Sequence, residues 1–145
     1  PSWSSPTLGT ADWQTLAVPG VWEDKGLPNF DGMVWLRKEI TLPKSAAGKE
    51  LFFNAPGIDD LDVTYFNGQE IGRTDGYNQP RQYRIPGRLV KAGKNVLAIR
   101  VVDTGGGGGI TGEPEDLSLT AGKQSFPLAG TWQYKIAARL RDFPP

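Results

Sequence analysis

Trp22, Phe30 and Trp35 stand among Glu23, Asp24, Asp31 and Arg37 in LAVPGVWEDKGLPNFDGMVWLRK, residues 16–38. This mixture suits a saccharide. An indole face packs on the C–H face of a sugar ring, while carboxylates and a guanidinium bond its hydroxyls. Trp22 and Glu23 belong to a loop and are the expected contacts with Asp31 and Arg37. Trp35 lies on a strand, where a tryptophan more often joins the core. A second candidate is VVDTGGGGGITG, residues 101–112, with five consecutive glycines behind a strand. A phosphate cradle would continue into a helix N-terminus with Lys and Ser or Thr. Glu113 and Pro114 follow instead, which disfavours a nucleotide. A flexible linker fits poorly as well, because strands on both sides belong to one core. What remains is an ordered loop in which Gly107 and Gly108, beside Asp103, admit a close backbone or ligand, or simply turn a tight corner.

Asp59, Asp60 and Asp62 could give oxygens to a structural calcium, as could Asp103, Glu113, Glu115 and Asp116. None has the spacing of an EF-hand loop, so solvated turn residues are the competing explanation and no cofactor is expected. No pair of carboxylates stands out as glycosidase machinery.

Composition removes other chemistries. The sequence has no Cys and no His, so it holds no disulfide, thiolate zinc site, Ser-His-Asp triad or imidazole base. Lys plus Arg and Asp plus Glu number 16 each. This balance argues against a nucleic acid or anionic membrane as partner.

The elements that must position these residues are strands. Nineteen Gly and 12 Pro punctuate short runs of Val, Ile, Leu, Phe and Tyr across 145 residues, the pattern of one all-β domain. In MVWLRKEITL, Val34, Leu36, Ile40 and Leu42 share one face, and Trp35, Arg37, Glu39 and Thr41 the other. ELFFNA alternates Leu51, Phe53 and Ala55 against Phe52 and Asn54. LDVTYFNGQEIG predicts a hairpin turning at Asn67-Gly68, with Leu61, Val63 and Tyr65 facing inward. QYRI is a short run, PGRLVKAGK one helical turn, and NVLAIRVVD a strand apolar on both faces and therefore central. LSLT, QSFPL and TWQYKI follow. About eight strands with one short helical turn predict an antiparallel jelly-roll β-sandwich, with linker-like ends at about 1–12 and 137–145.

Taken in order, VPGVWED, DGMVWLRKEITLP, YFNGQEIG, IPGRLVKAGKNVLAIRVVD, GGGGGITG and LAGTWQYKI resemble the galactose-binding-like β-sandwich within sialate O-acetylesterases. A related pattern, with a similar Asp-Gly-x-Val-Trp strand and Asn-Gly hairpin, occurs in the sugar-binding domain of β-galactosidase and β-glucuronidase type glycosidases. The resemblance implies a non-catalytic accessory module, excised from a periplasmic or secreted esterase that removes O-acetyl groups from sialic acids. Its partner would be an SGNH-type catalytic domain of the same parent. The ligand would be an acetylated sialoglycan or a galactoside. None of that family's catalytic motifs is present here. The alternatives are the sugar-binding domain of a glycosidase and a purely structural interface module.

Overall fold

In a computed structural model the described residues are 3–21, 32–58, 61–76, 79–103 and 109–139. Their strands are β1 (Gln14–Val18), β2 (Gly20–Val21), β3 (Gly32–Leu42), β4 (Leu51–Ala55), β5 (Leu61–Phe66), β6 (Gln69–Asp75), β7 (Arg81–Ile85), β8 (Gly93–Asp103), β9 (Gly109–Ile110), β10 (Ser118–Ala121), β11 (Gln124–Pro127) and β12 (Gly130–Arg139). A six-stranded sheet has the order β1-β12-β3-β8-β5-β6, and a four-stranded sheet the order β11-β10-β4-β7. β2 and β9 form a separate pair. Every pairing is antiparallel. The architecture is thus the expected β-sandwich.

The core lies between the two sheets. Val34, Leu36, Leu97, Ile99 and Val101 of the larger sheet meet Leu51, Phe53, Ile85 and Leu119 of the smaller one. β8 is central and its two apolar parities are both covered, as the sequence predicts. The hairpin turn is also as expected, with Asn67 at φ 47° and Gly68 at φ 88°. Past Pro86, a 3-10 turn over Gly87–Leu89 supplies the predicted helical turn, and further 3-10 turns over Lys44–Ala46 and Pro114–Asp116 go beyond the one expected.

The structure corrects the expected inward face of β5. Register with β8 sets Asp62 opposite Val101, Thr64 opposite Ile99 and Phe66 opposite Leu97, so these three residues face the main core. Tyr65 pairs with Ala98 on the outer face, the face it shares in parity with Leu61 and Val63. Period-two alternation defines two faces without saying which is inside. Here both are buried, because residues 3–13 return over the outer face. Trp3, Leu8 and Trp13 pack there with Trp35, Tyr65 and Ala98 as a second apolar cluster. The expected linker-like start is therefore a cover for the sheet, and β12 extends the C-terminal end of the fold to Arg139.

Candidate functional site

Strand register gathers the chain ends of several connections at one end of the sandwich. Gly32, where β3 begins, pairs with Asp103, where β8 ends. Gly20 pairs with Ile110 and Val21 with Gly109. Segments 22–31 and 104–108 therefore leave and rejoin the fold at mutually paired positions. Ile58 bridges Ile110, and Thr111 N–H donates to the Gly57 carbonyl at 3.1 Å, bringing the start of segment 59–60 to the same end. Trp22, Glu23, Asp31, Gly107, Gly108, Asp59 and Asp60 lie outside the described residues, as does the side chain of Asp103. At the C-terminal end of the glycine run, the backbone that approaches Gly109 is β2.

Of the other candidates, Trp35 is buried as its strand position predicts, whereas Arg37 and Asp62 are engaged inside the fold rather than at a site. Trp35 is 9% exposed. Its ring stacks on Tyr65 at 5.6 Å between centroids and meets the edge of Trp3 at 6.4 Å, which leaves no free face for a sugar. Arg37 is 1% exposed. Its Nη1 donates to the carbonyls of Ser5 at 2.8 Å and Trp3 at 3.4 Å, and its Nε has no acceptor. Burial holds this guanidinium below its ordinary pKa, while Glu39 opposes the shift. Arg37 thus clasps the N-terminal cover to the sheet.

Asp62 is not available to a calcium ion. It is fully buried, and Arg81 Nε donates to its Oδ1 at 2.7 Å. Thr64 Oγ1 donates to Oδ2 at 2.8 Å, and the Tyr83 hydroxyl lies 2.9 Å from Oδ2 and 3.1 Å from Oδ1. Arg81 Nη1 also donates to the carbonyls of Gly76 and Gln79, and Thr74 Oγ1 lies 2.7 Å from the Tyr83 hydroxyl. Burial pushes the Tyr83 phenol well above its usual pKa, and the Asp62 carboxylate adds to the shift. Among the described residues no group of three or more Asp or Glu side chains could hold a metal. The network fastens β5 and β6 of one sheet to β7 of the other, beside the loop-bearing end.

Next to it opens a cleft of about 490 Å³, bordered by Asn54 and Pro56 at the exit of β4, by Pro80, Arg81 and Gln82 at the entry of β7, and by Asp116. Asn54 and Gln82 are register partners on the outer face of the smaller sheet. Gln82 Nε2 donates to Asn54 Oδ1 at 3.1 Å, and Asn54 Nδ2 donates to Thr120 Oγ1 at 3.0 Å. Pro56 is seated against Gly112, which has φ +115° and whose missing Cβ would collide with the Pro56 ring. Sequence reasoning missed this cleft because its residues come from three distant segments. The only local signal was the outward parity of Asn54 in ELFFNA.

No family model matches the chain. A beta-glucuronidase of Formosa agariphila is 26% identical over 106 aligned residues, covering 63% of this chain and 11% of that protein. Among solved structures, a glycosyl hydrolase family 2 member from Bacteroides cellulosilyticus superposes with a TM-score of 0.65 at 16% identity, over 94% of this chain and 19% of that one. A calcium-binding mutant of Bacteroides uniformis beta-glucuronidase 2 gives a TM-score of 0.66 at 18% identity, over 90% of this chain and 15% of that one. The chain therefore spans under a fifth of the length of each of these three relatives. These findings fall on the glycosidase side of the resemblance and lend no support to an esterase parent. The chain has the β-sandwich fold that these much longer glycosidases carry as one part.

Proposed function

We propose that this chain is a non-catalytic, saccharide-associated β-sandwich module of a β-glucuronidase-type glycosidase. The observation that carries the reading is the fold itself. It matches over 94% of this chain yet occupies 19% of the glycosidase it matches, so it corresponds to one module beside other parts. The side-chain chemistry agrees. The sequence has no His, and Asp62, the sole buried carboxylate among the described residues, is committed through both oxygens to Arg81, Tyr83 and Thr64. A carboxylate held this way is not poised as a general acid or nucleophile.

Two measurements test the reading. The purified 145-residue chain is expected to release no product from an aryl β-glucuronide or an aryl acetate, and turnover of either would overturn the non-catalytic assignment. The reading frame that carries these residues is expected to encode an adjoining (β/α)₈ segment. An adjoining Ser-His hydrolase segment would return the parent to the esterases.

A further inference from the structure

The cleft at Asn54, Gln82 and Asp116 has the composition of a ligand site. Its volume of about 490 Å³ lies within the range of small-molecule sites. Its polar groups are held in place. The ladder from Gln82 through Asn54 to Thr120 fixes both amide planes. That ladder leaves the Gln82 carbonyl oxygen and a second Nε2 hydrogen unspent. The Asp116 carboxylate, on the turn Pro114–Asp116, is exposed and joins no ion pair among the described residues. Pro56 and Pro80, each one residue beyond the Ala55–Arg81 register pair, contribute rigid C–H surface side by side.

The base of the cleft is also fixed. Arg81 is fully buried and holds the turn before β7 through the Gly76 and Gln79 carbonyls, so Pro80 and Gln82 have little freedom to shift. Its charge is matched by Asp62 and does not reach the mouth. The cleft is instead lined by the exposed Asp116, whose turn also bears the exposed Glu113 and Glu115. This field repels a carboxylate-bearing ligand and favours hydroxyl groups, which donate to a carboxylate and accept from an amide.

We propose that this cleft binds a neutral saccharide, whose hydroxyls donate to Asp116 and exchange hydrogen bonds with Gln82 while its ring lies against Pro56 and Pro80. The assignment goes beyond the module's place in a glycosidase and does not depend on it, since it is read on this chain alone.

Amide and side-chain NH₂ resonances of the ¹⁵N-labelled 145-residue chain, titrated with neutral gluco-, galacto-, manno- and xylo-oligosaccharides and with a glucuronate-containing disaccharide, test it directly. At least one neutral series is expected to shift Asn54, Gln82 and Asp116 together at millimolar concentration. Gln82→Ala and Asp116→Asn are each expected to weaken binding about tenfold, the loss of one hydrogen bond involving a charged or fixed group. Both side chains are exposed, so the fold should survive, and an unchanged thermal melt checks this. Shifts absent from every neutral titration, shifts confined to other surfaces, equal affinity for the glucuronate disaccharide, or unchanged affinity in both variants would each overturn the assignment.

Discussion

Arg81 illustrates how a buried charge sets local geometry. Its guanidinium and the Asp62 carboxylate are both withdrawn from water, and desolvation of the two ions cancels much of their attraction. Removing one partner leaves the other charge stranded. Arg81→Met is therefore expected to lower stability by about 3–5 kcal/mol in urea denaturation. The double variant Asp62→Leu/Arg81→Met should lose less than that single change. A larger loss in the double variant would show that the pair itself is strongly net stabilising. Tyr83, in the same network, gives a pH signature. Its phenol pKa is raised in the folded state above the unfolded value of about 10. The neutral phenol's contribution is therefore fully present below about pH 10 and is lost as pH rises towards the folded value, at up to about 1.4 kcal/mol per pH unit. Tyr83→Phe should flatten that alkaline limb in a series of denaturation curves. An unchanged slope would remove Tyr83 as its source. Nothing in LDVTYF announced this network. The segment offered Val63 and Tyr65 as the apolar face, and the Asp62 and Thr64 face becomes interior only because Arg81 and Tyr83 arrive from β7 to satisfy it.

Among the elements, the β5–β6 hairpin was the most legible, since an Asn-Gly turn requires φ > 0 at both central residues. The structure adds a second reason for asparagine. Asn67 Nδ2 donates to the Leu89 carbonyl at 2.8 Å and to Asn95 Oδ1 at 2.9 Å, and Val96 N–H donates to Asn67 Oδ1 at 2.8 Å. The turn is thus tied to the residues that open β8. Asn67→Ala is expected to cost on the order of 2–3 kcal/mol, because it removes the side-chain partner of the Leu89 carbonyl and the Val96 N–H, while Asn95 keeps its bonds to Lys91 and Gly93. Asn67→Asp, which retains an acceptor for Val96, should cost less, and equal losses would mean that the side-chain donors carry the whole effect. Strands β3, β4 and β8 were equally readable from alternation and flanking turn residues. β1 and the β2–β9 pair were not. QTLAV shows little alternation before Pro19, and two-residue strands have no period to detect.

At the scale of the whole molecule, the larger sheet is covered on both sides. The second cover is residues 3–13, with Arg37 holding the Trp3 and Ser5 carbonyls. Residues 1–12 read as a linker from composition because Pro, Ser and Gly dominate, and the docking of Trp3 and Leu8 on Trp35 is a non-local event that composition does not report. Deleting residues 1–12 should uncover Trp35, Tyr65 and the Arg37 guanidinium. A loss of about 1.5–3 kcal/mol for each large apolar contact removed is expected, with a red shift in tryptophan emission. An unshifted denaturation midpoint would show that the cover contributes nothing to the fold.

The paired anchors at the loop-bearing end carry one more consequence. Because Gly32 faces Asp103 and Val21 faces Gly109, the frame is closed by backbone ladder bonds before either intervening segment contributes anything. Lengthening such a segment adds only closure entropy, about 0.6 kcal/mol for each doubling of length. The sandwich is in this sense a frame with two adjacent sockets, and segments of other lengths at 22–31 and 104–108 are expected to be accepted while the paired strands keep their register.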